Sequence, residues 1–322
     1  MTSWRKSRGN GFKAEIFNTK SHEEIKTSEI LSESFPKGKP EIFGIIGGPP
    51  CQDFSVYGSN KGFTGKRGKQ TTLFIKRILE IQPSFFVMEN VPGLIRTKSN
   101  KQYLVTLLKQ AEKYFHIDYK ILNALNFGVP QFRERVFFIG INKALDSTYI
   151  NKTNFLGDWF PWPKDNRYYD SLNSTKWPTT STFGSHLKKP EGIPIELCVE
   201  NCLVPFNKMK NFANADEYFK LHRDLNDLSN IQEGETNRPS FKRLHRFRYS
   251  PTACYGNNEV HLHPYKNRRL SVREALRIQG VPDDYVLPKE LSMTKKFKMI
   301  ANGVPVPLAS AVAHNLKLFI SH

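Results

Sequence analysis

The sequence is poor in cysteine, and its four thiols, Cys51, Cys198, Cys202 and Cys254, are too few and too scattered to staple a secreted domain. A reducing, cytoplasmic setting suits them. Cys198 and Cys202 form a C-x-x-x-C pair, but no second pair at metal-ligand spacing follows, so they read as ordinary thiols and no metal site is expected. No apolar run looks long enough to span a bilayer, and Met1-Thr2-Ser3-Trp4-Arg5-Lys6 leads into no apolar stretch, so neither membrane nor export is expected. Acidic residues are outnumbered: 30 Asp plus Glu face 48 Lys plus Arg, a formal net charge of +18. Such a field repels acidic proteins and attracts polyanions, which makes nucleic acid the natural partner and a merely solvated basic surface the plainer alternative. Internal repeats and low-complexity tracts are also lacking.

At 322 residues the chain can bury one large α/β core and a smaller second one. From residue 41 onward short apolar strands alternate with amphipathic helices, the signature of a parallel sheet with crossovers. A strand is expected over 41–46, stopped by Gly47-Gly48-Pro49-Pro50, and a Gly-, Lys- and Ser-rich loop over 55–70. A helix follows over 71–81, then a strand over 85–88 with Glu89-Asn90 at its tip, and a helix carrying Tyr103, Leu104, Leu107, Leu108 and Ala111. Strands over 119–125 and 136–141 flank the turn Asn126-Phe127-Gly128-Val129-Pro130. Residues 150–245 lose this periodicity and hold Trp159, Trp162 and Trp177 among prolines and lysines. Ser271 and Glu274 form a capping box that opens a helix to Ile278, and a last helix over 308–319 aligns Leu308, Val312, Leu316 and Phe319. The expected domains are 1–148, 149–262 and a returning segment, 263–322.

The stretch Gly47-Gly48-Pro49-Pro50-Cys51-Gln52-Asp53-Phe54-Ser55 sets a cysteine just past the carboxyl end of a strand, where open α/β sheets gather catalytic groups. A packed thiol is the competing reading. Met88-Glu89-Asn90-Val91-Pro92 sets a carboxylate at the tip of the next strand, and a right-handed βαβ crossover brings the two tips side by side. Strand alternation in Gln131-Phe132-Arg133-Glu134-Arg135 would direct Gln131, Arg133 and Arg135 to one side. Taken singly, each is equally a surface polar residue.

Together these segments resemble the ordered motifs of the cytosine-C5 DNA methyltransferases: a Pro-Cys-Gln loop, a Glu-Asn-Val strand end and a Gln-x-Arg-x-Arg strand. Arg268 to Asp283 looks like the family's helix beside the recognition domain, and Ile300 to Ala309 like its final motif, with Ala301 for the usual Gly and Gly303 for the usual Ala. The resemblance implies a Rossmann-like S-adenosylmethionine-dependent methyltransferase sheet plus a smaller, irregular target-recognition domain. It implies Cys51 as nucleophile, Glu89 on N3 of the base, Arg135 on its O2 and Arg133 supporting the pocket. S-adenosylmethionine would meet Glu29, Pro49, Leu73, Asn302 and Val304. Duplex DNA would meet Gln52, Ser55, Lys61, Lys66 and Arg67 on a loop that closes over a flipped base, together with Gln131, Arg243, Arg246 and Arg248.

One part of the family pattern is not found: an opening strand with a Phe-x-Gly-x-Gly turn, and a second strand ending in the acid that binds ribose. Gly9-Asn10-Gly11 follows no buried strand and is a poor stand-in. The sheet is therefore expected to be incomplete at its N-terminal side, with an unpaired edge, and the chain to be a truncated product or one piece of a split enzyme whose N-terminal piece is separately encoded. A restriction endonuclease acting on the same site is a further expected partner. A tRNA cytosine-C5 methyltransferase and a non-catalytic DNA-binding remnant are the alternatives.

Overall fold

The computed structural model describes residues 25–49, 68–145, 156–220, 228–255 and 259–321, distributed over two units: 1–121 with 135–160, and 122–134 with 161–322. The first unit carries α1 (Thr27–Ser34), β1 (Gly44–Gly47), α2 (Gly68–Ile81), β2 (Phe85–Asn90), α3 (Gly93–Arg96), α4 (Lys98–Glu112), β3 (Phe115–Asn123) and β4 (Glu134–Asn142), the last two strands each running into the second unit at one end. β1 and β2 pair in parallel, from Gly44 opposite Phe85 to Gly47 opposite Met88, with α2 as the crossover. The parallel pairing expected from the strand and helix alternation holds for β1 and β2, while β4 runs antiparallel to β2 and the strand order is β1-β2-β4-β3. The reason is the link before β4, which holds only the 3-10 turn Ala124–Phe127 and a left-handed Gly128, too little for the helix that a parallel return needs.

Apolar side chains from both layers close this core: Ile75 and Ile78 of α2, Leu104 and Leu108 of α4, and Phe86, Met88, Phe115 and Phe138 of the sheet are all essentially buried. Each such side chain contributes roughly 1.5–3 kcal/mol of burial free energy. Phe86 can lie flat across the neighbouring strand only because residue 140 is glycine; a Cβ there would sit 1.9 Å from the ring. Among the described residues β1 has β2 as its only strand neighbour, and it leaves Ile46 73% and the preceding Ile42 48% exposed.

The second unit has few strands. α5 (Ser171–Ser174), α6 (Val272–Ile278), α7 (Met293–Asn302) and α8 (Val306–Ser321) stand among loops and 3-10 turns. Its core joins Leu244, Tyr255 and Val260 to Val272, Ala275 and Ile278 of α6 and to Phe297 and Ile300 of α7. The capping box forms as expected: Ser271 accepts from Glu274 N, and Glu274 accepts from Ser271 N at 2.8 Å. Residues 122–134 and 263–322 group with the irregular middle in this unit. One further expectation is corrected: Met293–Ser321 does have the length and composition to cross a membrane. The fold breaks it at Gly303 into two helices, and the 16 residues of α8 reach only about 24 Å at 1.5 Å each.

His261 and His263 are both buried in this unit, and burial, reinforced by nearby cations, pushes each imidazole down to about 3. Glu274 Oε1 lies 3.8 Å from His263 Nε2, but that carboxylate is already paired with Arg268, and desolvation dominates. The unfolded chain binds more protons than the folded one below the ordinary histidine value, about 6.5. Stability is thus full above that pH and lost as pH falls from about 6.5 toward 3, at up to roughly 1.4 kcal/mol per pH unit for each imidazole. The urea midpoint should fall between pH 7 and pH 5, and His261→Gln should flatten the dependence. A midpoint unchanged over that range would show that neither ring is held neutral.

Candidate active site

Parallel pairing with β2 carries the end of β1 toward the tip of its neighbour, so Gly48 and Pro49 run beside Glu89 and Asn90. Two contacts fix this. Asn90 Nδ2 donates to Pro49 O at 3.2 Å while its Oδ1 accepts from Val91 N at 2.9 Å, so a buried amide ties the two strand ends together. Gly48 leaves room for the Glu89 carboxylate, since a Cβ on residue 48 would meet Oε2 at 2.9 Å. Cys51, together with Gln52, Ser55, Lys61, Lys66 and Arg67, lies outside the described residues.

Across the sheet, β4 presents Arg135, whose Nε lies 2.9 Å from Glu89 Oε1. Register explains the meeting: Glu89 is opposite Phe137, so Arg135, two residues earlier on the same face, reaches it diagonally. Both side chains are largely withdrawn from water, at 12% and 19% exposure, which strengthens their attraction over that of a surface pair.

The expected one-sided row of Gln131, Arg133 and Arg135 does not form, because β4 begins at Glu134 and the two earlier residues belong to the second unit. Gln131 is fully buried there: Oε1 accepts from Ala253 N at 3.1 Å and Nε2 donates to Ile278 O at 3.4 Å, so both ends of the amide are occupied and it cannot meet DNA. Arg133 is equally buried and donates to Ala253 O, Ala301 O and Gly303 O at 3.3, 2.5 and 2.9 Å. It is a positioning residue for the segment that carries Asn302 and Val304.

Two of the three arginines expected on DNA are likewise corrected. Arg243 is fully buried and spends its guanidinium on the carbonyls of Leu228, Ile231, His263 and Lys266, at 2.8–3.1 Å; burial pushes it down to about 10. Arg246 pairs with the buried Glu233 at 2.6 Å and packs over Tyr265. Arg248 differs: it lines a cleft of about 280 Å³ with Phe132, His245 and Tyr249, and is only partly buried. Of the residues expected at the methyl donor, Pro49 is buried, Leu73 on α2 and Glu29 on α1 are half-buried, Asn302 ends α7 exposed, and Val304 is half-buried. Cys198 and Cys202 are packed thiols that burial pushes up to about 12, far from nucleophiles at neutral pH.

Gly48→Ala tests the geometry without touching the core. Position 48 is exposed and the clashing atom is the end of a flexible side chain. Unfolding free energy should stay within about 0.5 kcal/mol of the parent. A crystal structure should show the Glu89 carboxylate swung away and its contact with Arg135 lengthened beyond 4 Å; an unchanged pair would refute the role given to Gly48.

The chain matches the C-5 cytosine-specific DNA methylase family over residues 4–318. It is 40% identical to the Type II methyltransferase M.NmeDI of Neisseria meningitidis serogroup C over 285 residues, covering 87% of this chain and 65% of that one. With M.FnuDI of Fusobacterium nucleatum it shares 32% over 317 residues, covering 90% and 79%. A crystal structure of a prophage-encoded DNA modification methyltransferase of E. coli aligns over 94% of this chain and 86% of its own, with TM-score 0.61 and 24% identity, a likeness of fold. This chain therefore belongs to the C-5 cytosine-specific DNA methylase family.

Proposed function

We propose that the chain is the catalytic part of a DNA (cytosine-5)-methyltransferase that moves a methyl group from S-adenosylmethionine to C5 of a cytosine flipped out of duplex DNA. The observation that carries this reading is the Glu89–Arg135 pair at the tip of β2, beside the Gly48-Pro49 segment that leads toward Cys51. N3 and O2 are neighbours on one edge of cytosine, and an adjoining carboxyl and guanidinium match them. Cytosine C5 is too electron-poor to attack a methyl group unaided. Addition of the Cys51 thiolate to C6 pushes electrons to C5, which takes the methyl; loss of the C5 proton to solvent then expels the thiolate and restores the ring. Glu89 holds N3 and protonates it as charge builds, while Arg135 donates to O2. S-adenosylmethionine, when bound, supplies the electrophilic sulfonium methyl.

For that donor the described residues offer part of a site. Pro49, Leu73 and Glu29 suit an adenosyl group in the first unit, but a glycine-rich turn after a buried strand is not among the described residues. The exposed Ile46 on β1 and Ile42 just before it support a second reading, in which a separately encoded N-terminal piece adds a strand to that edge and brings the turn with it. The relatives named Type II methyltransferases support a place in a bacterial restriction-modification system, with a cognate endonuclease and a cytoplasmic, nucleoid-associated setting.

Transfer of labelled methyl to unmethylated duplex DNA, with tRNA alongside, tests the reading. Label is expected in duplex cytosine C5, abolished by Cys51→Ser and slowed roughly 10²–10⁴-fold by Glu89→Gln. Label on tRNA alone would overturn the DNA reading. If the chain transfers nothing by itself, the second reading requires that a relative's N-terminal fragment restore transfer; failure to do so would leave the non-catalytic alternative.

A further inference from the structure

Single exposed apolar side chains are ordinary on a protein surface, so the case for Phe206 rests on how rigidly it is held and on the charges around it. Phe206 is 87% exposed, more than any other large apolar side chain among the described residues. It opens the 3-10 turn Phe206–Asn211, in which Asn207, Lys208, Lys210 and Asn211 are exposed as well. The ring is not on a floppy tip. Upstream, Leu203 O accepts from Arg277 Nη1 and Val204 N donates to the buried carboxylate of Glu274, both at 3.2 Å. Downstream, Phe212 lies under the Arg277 guanidinium, 4.5 Å from ring centre to the cation. Beyond it the buried Asn214 exchanges hydrogen bonds with Leu287 N and O, both at 3.0 Å. Pro205, with φ −57°, stiffens the step into Phe206. Both ends of the turn are thus anchored, and the ring is held outward.

An isolated aromatic ring with cations within one turn is complementary to nucleic acid, whose bases stack on the ring and whose phosphates pair with the lysines. An apolar protein partner would need a contiguous patch; Pro205 is the one exposed apolar sequence neighbour of the ring, and the other exposed residues of the turn are Asn207, Lys208, Lys210 and Asn211. Resting on the duplex-DNA reading above, we propose that Phe206 is a wedge that presses into a base step of the duplex while Lys208 and Lys210 bind flanking phosphates. Stacking on the ring offsets part of the base stacking lost when the step opens, which lowers the cost of extracting the target base.

A wedge gains most where the step is already loose. The full-length chain should bind a duplex with a mismatch at the step about tenfold more tightly than the matched duplex, and 2-aminopurine placed at the step should brighten on binding. Phe206→Ala should erase both the preference and the signal, whereas Phe206→Trp should keep them. Lys208→Ala with Lys210→Ala should lower the slope of log affinity against log salt by about two and leave the preference intact. A wild-type chain without the preference, or Phe206→Ala retaining it, overturns the wedge alone. A wild-type chain that binds no duplex overturns the DNA reading and the wedge with it.

Discussion

Buried guanidinium groups are the interaction on which the second unit depends. The three largest fully buried side chains in the described structure are Arg133, Arg243 and Arg273. Each faces main-chain carbonyls: Arg273, for example, donates to Ala213 O, Pro282 O and Tyr285 O at 2.7–3.2 Å. Loops that pack without strands leave carbonyls with no ladder to receive them, and an unpaired buried carbonyl costs about 1–3 kcal/mol. One guanidinium offers five donors in a rigid fork and so answers several carbonyls at once, which an ammonium on a flexible stem does less well. In Arg243 and Arg273 every arm of the guanidinium has a carbonyl partner, which makes the desolvated charge tolerable, and removal of such an arginine would orphan a group of carbonyls together.

The first unit solves the same problem differently, through its sheet, and that difference shapes the site. Strand pairing satisfies the backbone, so side chains at the carboxyl ends of β1 and β2 are left for chemistry. Gly48 and Pro49 hug the neighbouring strand end because the first lacks a Cβ and the second is held by Asn90, while Gly47 leaves room for the Phe74 ring of α2. The antiparallel β4 matters for the same reason. Had it run parallel to β2, Arg135 would not fall diagonally opposite Glu89, and the pair would be lost.

What the sequence made legible was period and punctuation. The strand and helix alternation, the crossover through α2, the position of Glu89 at a strand tip and the Ser271–Glu274 capping box are all local patterns, and all are present. Strand direction was not legible, because a period-2 pattern is the same for parallel and antiparallel neighbours. The fate of arginines was not legible either. Arg133 and Arg135 are two residues apart in the chain, yet one is an internal strut and the other a partner of Glu89, since the strand boundary falls between them. Phe206 escaped notice because nothing in Pro205-Phe206-Asn207 distinguishes an outward ring from a buried one; only the anchors at Glu274, Arg277 and Leu287, far away in sequence, decide it.

Net charge also has to be read through the fold. A count of +18 treats every arginine as a source of surface contact. Arg133, Arg243, Arg269 and Arg273 are buried and committed to carbonyls, and Arg246 is committed to Glu233, so their charge adds to the distant field without being able to touch a phosphate. The cations of the second unit that are not so buried include Lys208 and Lys210 beside Phe206, and the partly buried Arg248 in its aromatic cleft. A unit that uses its arginines to hold loops in place leaves lysines and an aromatic ring for the surface. That division is physically sensible: the guanidinium, weakly hydrated and multiply donating, is the cation least penalised by burial, and the ammonium, strongly hydrated, is the one that stays in water.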